Sequence, residues 1–239
     1  CRSYLMGGTM DILSDEKIRQ AMREAIAEAQ DYGDHYEPIP ERRVAQAQLD
    51  DAQKKFGTTS ALFDGTNDYL SLLDSADWNF GTGQFTVEFW VRYNAFTGSG
   101  RPWMVGQMGQ TDSTQVWGVA GAATTVANTF IFYFHDGALA TLTGTRAAGD
   151  FVFNTQYHIA VDRDASNIIR IYFDGVISGS VTDSANIRNL VRPLHIGQRE
   201  GASSGTENLD GWIDEVRITK GVARYAGAFT PPDNPFPKA

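Results

Sequence analysis

The segment that most constrains the fold is the end of the chain, from Leu209 to Pro237, which reads as an alternating strand followed by an extended strap. Successive residues of the strand point to opposite faces. One face has Trp212, Asp214, Val216 and Ile218, and the other has Ile213, Glu215 and Arg217. This alternation predicts one half-buried face and one face that carries charge. Four prolines then fix φ, so the strap cannot be helical. A closing strand and a strap imply a sheet for them to cover.

From Phe56 onward the chain repeats this extended pattern. The clearest strand is FTVEFWVRY, with Phe85, Val87, Phe89 and Val91 on one face and Thr86, Glu88, Trp90 and Arg92 on the other. A hairpin is predicted at Asp174-Gly175, because this dipeptide tolerates the positive φ of a type I′ turn. Turn signals recur too often for crossover helices. The sequence therefore predicts an all-β, antiparallel two-sheet jelly-roll sandwich over residues 56–239, including the Pro-rich strap.

Residues 1–55 are predicted to form a helical N-terminal arm. Ser14 can cap a first helix, and a weaker second helix is predicted from Glu41 to Lys55. The apolar residues along one face of the first helix form a stripe, which could pack on the β domain or dock on another subunit. Docking is favoured, because the segment lies outside any β pattern and its small side chains allow close approach. The predicted partner-binding residues are Ile18, Met22, Ala25, Ile26 and Ala29.

Charge and hydropathy narrow the classes of partner. The chain has 20 Lys and Arg against 29 Asp and Glu, without a basic stripe, so nucleic acid is not a predicted partner. A single cysteine, Cys1, excludes an intrachain disulfide and thiolate-based zinc sites. No apolar run is long enough to span a bilayer, so no membrane insertion is predicted.

From about Lys55 to the end, the chain contains the blocks ALFDGTNDYLSLL, FTVEFWVRYN, IRIYFDGVISGS and GWIDEVRITKGVARYAGAFTPPDNPFP. In their order and spacing, these blocks resemble laminin-G-like domains of the concanavalin A-like lectin fold. The tail ITKGVARYAGAFTPPDNPFP is similar to the ends of such domains in bacteriophage and environmental viral structural proteins. The resemblance implies a concanavalin A-like jelly roll and a structural role in a virion.

The resemblance also implies a structural Ca²⁺ ion where the first strand pair meets the closing strand. The matching residues are Asp64, Asn67, Asp68 and Asp214. Calcium takes about six to eight oxygen ligands, and an Asp-Gly turn supplies both carboxylate and carbonyl oxygens. Asp64 and Asn67 are also ordinary turn residues, and Asp214 could bond backbone amides. An ion site and an ion-free turn are therefore alternatives.

Aromatic residues on the predicted strands suggest a glycan-binding face. The candidate ligand-binding residues are Trp103, Trp117, Tyr133 and His135. Core packing is the alternative for each of them, because Trp and Tyr commonly bury their rings. His158 and His195 lie within strand patterns and are predicted to be structural.

No catalytic residues are predicted. The letters GASSG at 201–205 match a nucleophile elbow, but no strand precedes and no helix follows them. Asp214 and Glu215 are adjacent, so they point to opposite faces of a strand and cannot form an acid–base pair.

Together these features favour a non-enzymatic bacteriophage virion structural protein, either a capsid decoration or a tail or fibre component. The arm would anchor the protein to other virion proteins, and the protein itself is expected to be a homo-oligomer. The lectin-like domain would face cell-surface glycans of the host. The alternative is a secreted or surface calcium-dependent carbohydrate-binding module. Glycan binding that a chelator abolishes would favour this alternative.

Overall fold

The computed structural model describes residues 44–45, 47–95, 100–121, 128–147, 152–202 and 207–237. The strands are β1 (Val44–Ala45), β2 (Gln48–Asp50), β3 (Ser60–Asp64), β4 (Tyr69–Leu72), β5 (Phe85–Ala95), β6 (Trp103–Met108), β7 (Gln115–Gly121), β8 (Thr129–His135), β9 (Leu139–Thr145), β10 (Gln156–Arg163), β11 (Ile168–Phe173), β12 (Val176–Thr182), β13 (Leu194–Ile196) and β14 (Asp210–Lys220). Short 3-10 helices span Ala76–Trp78 and Asp112–Thr114. Within these ranges, no helix has the length and apolar character needed to cross a membrane. The predicted docking stripe from Ile18 to Ala29 lies outside the described residues.

The strands form two seven-stranded sheets that pack face to face. Sheet I has the order β12-β11-β10-β5-β14-β3-β2, and sheet II has the order β1-β4-β13-β6-β7-β8-β9. Neighbouring strands in both sheets pair antiparallel. This architecture confirms the predicted all-β jelly-roll sandwich.

Strand β5 shows how the alternation of the sequence builds the core. Phe85, Val87 and Phe89 are fully buried between the two sheets. Across the interior, the ring of Phe85 lies 5.8 Å from that of Phe132 in sheet II. Full burial of each such side chain contributes about 1.5–3 kcal/mol. The face predicted for the apolar residues of β5 is confirmed.

The outer face of β5 is buried as well, because residues 221–237, which we call the strap, cross the outside of sheet I. The rings of Tyr225 and Phe229 stack with centroids 3.4 Å apart, and Phe229 packs 5.2 Å from Tyr172 of β11. Phe236 is 3% exposed and lies 3.8 Å below the guanidinium of Arg217. A strand that sequence alternation predicts to be half-buried is therefore covered on both sides.

Strand β14 contains a bulge that its sequence does not reveal. Its register with β5 shifts between Asp214 and Arg217, and Glu215 has a φ of 53°. Ile213 and Val216 therefore both face the core, although they have opposite parity. The predicted single face of Trp212, Asp214, Val216 and Ile218 is wrong beyond Asp214, because the extra residue reverses the alternation.

The helix predicted from Glu41 to Lys55 is wrong where the structure describes it, because Gln48–Asp50 form β2 and pair with β3. The indole nitrogen of Trp212 donates to Asp50 Oδ2 at 2.6 Å, and the amides of Lys55 and Phe56 donate to Asp214. The segment has few apolar residues for a helical stripe, and a sheet edge satisfies its backbone groups instead. Residues 47–55 therefore belong to the sandwich.

Candidate functional site

The two outer faces of the sandwich differ in what covers them. The strap lies across sheet I, whereas the outer face of sheet II carries a small cluster of side chains that is separate from the main core. We call it the outer aromatic cluster, and it consists of Trp103, Met108, Ala120, Ile131 and Tyr133. Aromatic rings beside polar groups on a sheet face are suited to ligand binding. This cluster is therefore the candidate functional site.

Cross-strand pairing brings the cluster together. Trp103 lies opposite Ala120 on β7, and Tyr133 on β8 lies opposite Gly118. Gly118 makes room for the indole, because a Cβ at this position would lie 3.0 Å from Trp103 Cζ3 and 2.8 Å from Met108 Cγ. The rings of Trp103 and Tyr133 consequently pack with centroids 5.0 Å apart.

Two arginines border the two rings. The exposed Arg101 donates from Nη1 to the Tyr133 hydroxyl, and its guanidinium lies 5.9 Å from the ring of Tyr133. Arg199 lies 5.9 Å from the Trp103 ring, and a 2.6 Å ion pair with Glu207 neutralises it. Burial raises the pKa of Tyr133, and the positive charge of Arg101 opposes this effect. The phenol is therefore neutral near pH 7, with its own O–H available as a donor.

Two buried ring nitrogens on this side of sheet II have no hydrogen-bond partner in the part of the chain that the structure describes. They are Nε1 of Trp103, whose indole is 5% exposed, and Nδ1 of His195. His195 stacks on Tyr69 with ring centroids 5.2 Å apart, and burial lowers its pKa to about 4. A buried polar group without a partner costs about 1–3 kcal/mol. A ligand oxygen that accepted from the indole would offset that cost.

Of the predicted ligand-binding residues, Trp103 and Tyr133 lie together, and Trp117 does not. Trp117 is fully buried between the sheets, and its Nε1 donates to the carbonyl of Trp78 at 3.0 Å. The prediction that Trp117 binds a ligand is therefore wrong. The physical reason is that successive residues of β7 point to opposite faces. Gly118 takes the outward position, so the neighbouring Trp117 points into the core.

His135, the fourth predicted residue, ends β8 two residues after Tyr133 and is 3% exposed. Its Nε2 lies 3.0 Å from Asp112 Oδ1, and Nδ1 accepts from the amide of Gly137 at 3.3 Å. Both ring nitrogens are thus engaged within the chain. Arg101, which the sequence pattern did not single out, borders the site more directly. Its position two residues before Trp103 at the start of a strand was the available signal.

The four residues predicted to bind calcium are not brought together. Asp64, Asn67 and Asp68 share the turn between β3 and β4, and Asp210 pairs with Asp64. Asp214 is four residues further along β14, roughly 13 Å away at about 3.3 Å per residue. Its Oδ2 accepts from the amide of Lys55 at 2.8 Å, which is the alternative stated from sequence. Asp214 as a ligand beside Asp64 is therefore wrong.

Asp68 is the unusual member of that turn. It is 3% exposed, and Oδ2 accepts from the amide of Asp64 at 2.9 Å, whereas Oδ1 has no partner among the described residues. Burial raises the pKa of Asp68 from 3.8 to about 6, and the charge of Asp64 adds to this effect. Within the described ranges, no group of three or more His, Cys, Asp or Glu residues is arranged to hold a metal ion.

A two-sheet antiparallel jelly roll is the architecture of lectin-like domains. A family model described as the concanavalin A-like lectin/glucanases superfamily, Laminin_G_3, matches residues 64–224. The chain belongs to this family, which confirms the laminin-G-like resemblance of its sequence. A search of curated proteins gave no match.

Solved structures with this fold include several toxin binding domains. The chain is similar to the binding domain of Paraclostridial Mosquitocidal Protein 1, with a TM-score of 0.57 and 15% identity over 75% of this chain and 44% of that chain. The binding domain of botulinum neurotoxin DC in complex with SialylT gives a TM-score of 0.54 and 12% identity over 77% and 44% of the two chains. A structure of botulinum neurotoxin type C, whose cell entry is described as dependent on two ganglioside molecules, gives 0.55 and 14% over 76% and 44%. The chain thus spans less than half of these solved chains, and the likeness is one of fold.

Proposed function

We propose that this protein is a non-catalytic carbohydrate-binding module that contacts glycans through the outer aromatic cluster. The observation that carries the proposal is the Trp103–Tyr133 pair, bordered by Arg101 and buried at the outer face of sheet II, on the side of the sandwich away from the strap. Aromatic rings provide apolar surface for the C–H groups of a sugar, and the unpartnered indole N–H and the guanidinium provide donors for its oxygens.

Arg101 suggests how a ligand would reach the rings. Trp103 and Tyr133 are 5% and 7% exposed, whereas Arg101 is exposed and bonds only the Tyr133 hydroxyl among the described residues. A sugar carboxylate binds a guanidinium more strongly than a phenol does, because the hydrogen bonds are charge-assisted. Such a ligand would draw Arg101 away and uncover the face of Tyr133. The proposed ligand class is therefore an acidic cell-surface glycan.

The structural relatives support the choice of ligand class without locating a site. One was solved with SialylT, and another is described as interacting with two ganglioside molecules. Those ligands belong to proteins of which this chain spans 44%, so the proposed site rests on its own residues.

The experiment compares two arginines that each lie over an aromatic ring. Arg101→Gln removes the guanidinium at the cluster, and Arg92→Gln removes one that lies 4.7 Å from Trp212 near sheet I. On an array of neutral and sialylated glycans, we expect the full chain to bind acidic glycans, Arg101→Gln to bind at least tenfold more weakly, and Arg92→Gln to bind unchanged. Trp103→Phe, which keeps a ring and removes the N–H, should bind about threefold to tenfold more weakly. Absence of glycan binding, or equal losses in the two arginine variants, would refute the proposal.

We also propose that the module is a bacteriophage virion component, either a decoration of the capsid or part of the tail or fibre, and that its N-terminal segment attaches it. The support is the resemblance of the closing segment to phage structural proteins, together with the apolar stripe of Ile18, Met22, Ala25, Ile26 and Ala29 in the sequence. Deletion should remove residues 1–43 rather than 1–55, because residues 47–55 hydrogen-bond to the sandwich. We expect the truncated protein to keep its unfolding midpoint and to be lost from particles. Full incorporation would overturn the attachment role.

The secreted or surface calcium-dependent module is the second candidate, and the unpartnered Oδ1 of buried Asp68 is the observation that favours it. Calcium dependence separates the two candidates. If EDTA abolishes glycan binding and Asp68→Asn reproduces the loss, the calcium-dependent module is favoured. Binding that is equal with calcium and with EDTA favours the ion-independent module.

A further inference from the structure

Two edge strands lie side by side along one side of the sandwich. Strand β12 is an edge of sheet I, and β9 is an edge of sheet II. Gly179 allows their close approach, because a Cβ there would overlap the carbonyl oxygen of Thr143. In the described structure, one side of each strand has no neighbouring strand. Both strands thus present backbone N–H and C=O groups along a common border.

Neither strand has the side chains that usually protect an edge from pairing. The sequences LATLTGT of β9 and VISGSVT of β12 contain no charged residue and no proline, although 21% of the chain is charged. Natural edge strands are commonly protected by lysine, proline or a bulge. The one bulge here shifts the register between Ile171 and Tyr172, and it leaves Gly179–Thr182 in regular pairing with β11.

The border also exposes apolar side chains. Val176, Ile177 and Val181 of β12 are 64%, 41% and 36% exposed, and Leu139 of β9 is 37% exposed. Exposed apolar side chains beside an unprotected edge are typical of interaction surfaces. The nearest acidic residue before β12, Asp174, is neutralised by a 2.6 Å ion pair with Arg146.

We propose that this border pairs with the same border of a second copy of the chain. A two-fold axis perpendicular to the sheets would place β12 antiparallel to its counterpart and bring the two β9 strands towards each other. Each partner presents the same strand, so the contact is self-complementary. The chain has a net charge of −9, and β9 and β12 contribute no charged side chain, so pairing through these strands does not bring like charges of the strands together. A continuous fourteen-stranded sheet would result from joining the two copies of sheet I, which has seven strands.

The test is sedimentation equilibrium of the full chain and of two matched valine variants. Val181→Lys places a charge on the border, and Val191→Lys places one on a side chain that is 88% exposed in the loop before β13. We expect the unmodified protein and Val191→Lys to have twice the mass of the monomer, and Val181→Lys to have the monomer mass with an unchanged circular-dichroism spectrum. A monomeric unmodified protein, or a dimeric Val181→Lys variant, would overturn the proposal.

Disulfide cross-linking gives a second test that does not depend on tolerance of a lysine. In a Cys1→Ser background, Ser180→Cys introduces a thiol at an exposed position of β12, and Val191→Cys serves as the control. Mild oxidation should convert most of the Ser180→Cys protein into covalent dimers and little of the Val191→Cys protein. Equal cross-linking of the two variants, or none in Ser180→Cys, would count against the β12 interface.

Discussion

The hydroxyl of Tyr225, in the strap, donates a 2.5 Å hydrogen bond to Oε2 of Glu88, in the middle of β5. Glu88 is fully buried, and its Oε1 accepts from Arg217 Nε at 2.8 Å, while His158 Nε2 lies 3.2 Å from Oε2. Burial raises the pKa of Glu88, but the hydrogen bond to His158 and the charge of Arg217 outweigh it, so the pKa is lowered. A buried carboxylate on the sheet thus holds the strap in place.

The first prediction concerns this link between the strap and the sheet. Tyr225→Phe should lower the free energy of unfolding by about 1–3 kcal/mol, because Glu88 loses one of its donors in a buried site. Glu88→Gln should cost more, about 3–5 kcal/mol, because Arg217 then lacks its negative partner. Urea unfolding measures both changes, with Tyr69→Phe as the control. Equal losses in the two tyrosine variants would show that the hydroxyl of Tyr225 has no special role.

The second prediction isolates the contact between the strap and the β11–β12 turn. Gly175 and Gly221 have φ values of 77° and 86°, so alanine is strained to a similar degree at both. A Cβ at Gly175 would also collide with the carbonyl oxygen of Phe229, whereas nothing lies within 4 Å at Gly221. Gly175→Ala should therefore have a lower free energy of unfolding than Gly221→Ala, by about 1–3 kcal/mol. Urea unfolding of the two variants measures this difference. Equal stabilities would mean that the strap moves aside without cost.

The sequence was sufficient for the sheets and for the strap, because period-two alternation and proline act locally. The inward face of β5 and the turn at Asp174-Gly175, where both residues have positive φ, follow the pattern directly. What the alternation could not show was that the strap would also bury Glu88 on the outward face. Burial of that face depends on residues more than a hundred positions away in the chain.

The parts that could not be predicted depend on single residues out of register. The bulge at Glu215 changes which alternate residues of β14 face the core, and no residue type at this position signals a bulge. Trp117 and Trp103 look alike in sequence, but one faces the core and the other the outer cluster, because Gly118 and a register shift in β6 set the parity. Arg101 became part of the candidate site only through the position of Tyr133 on another strand.

The third prediction concerns Asp68, whose pKa is raised to about 6 by burial. The unfolded chain ionises Asp68 near pH 3.8, whereas the folded chain ionises it only near pH 6. The folded state therefore loses stability relative to the unfolded state as the pH rises from about 4 to 6. In EDTA, Asp68→Asn should therefore be more stable than the unmodified protein at pH 7, by up to about 3 kcal/mol, and this advantage should vanish near pH 4. Asparagine keeps an oxygen for the Asp64 amide, so the comparison isolates the charge.

Calcium provides the control for that comparison. If the turn from Asp64 to Asp68 binds calcium, millimolar Ca²⁺ should raise the unfolding midpoint of the unmodified protein and leave that of Asp68→Asn unchanged. Equal midpoints with Ca²⁺ and with EDTA would exclude a stabilising ion at this turn. An asparagine variant that is less stable at pH 7 in EDTA would contradict the proposed cost of the buried charge.

The fourth prediction concerns His195, which lies against Tyr69 with a pKa lowered to about 4 by burial. A histidine whose pKa falls on folding stabilises the protein while it is neutral. This contribution is complete above the unfolded value of 6.5 and is lost as the pH falls from there towards 4. The loss corresponds to about 3 kcal/mol. The unmodified protein should lose this stability between pH 6.5 and 4, and His195→Phe should lose correspondingly less.

An NMR titration gives the direct check. The ring protons of His195 should show no protonation above about pH 5, because the buried ring is neutral there. A titration midpoint near 6.5 would refute its burial as a neutral ring.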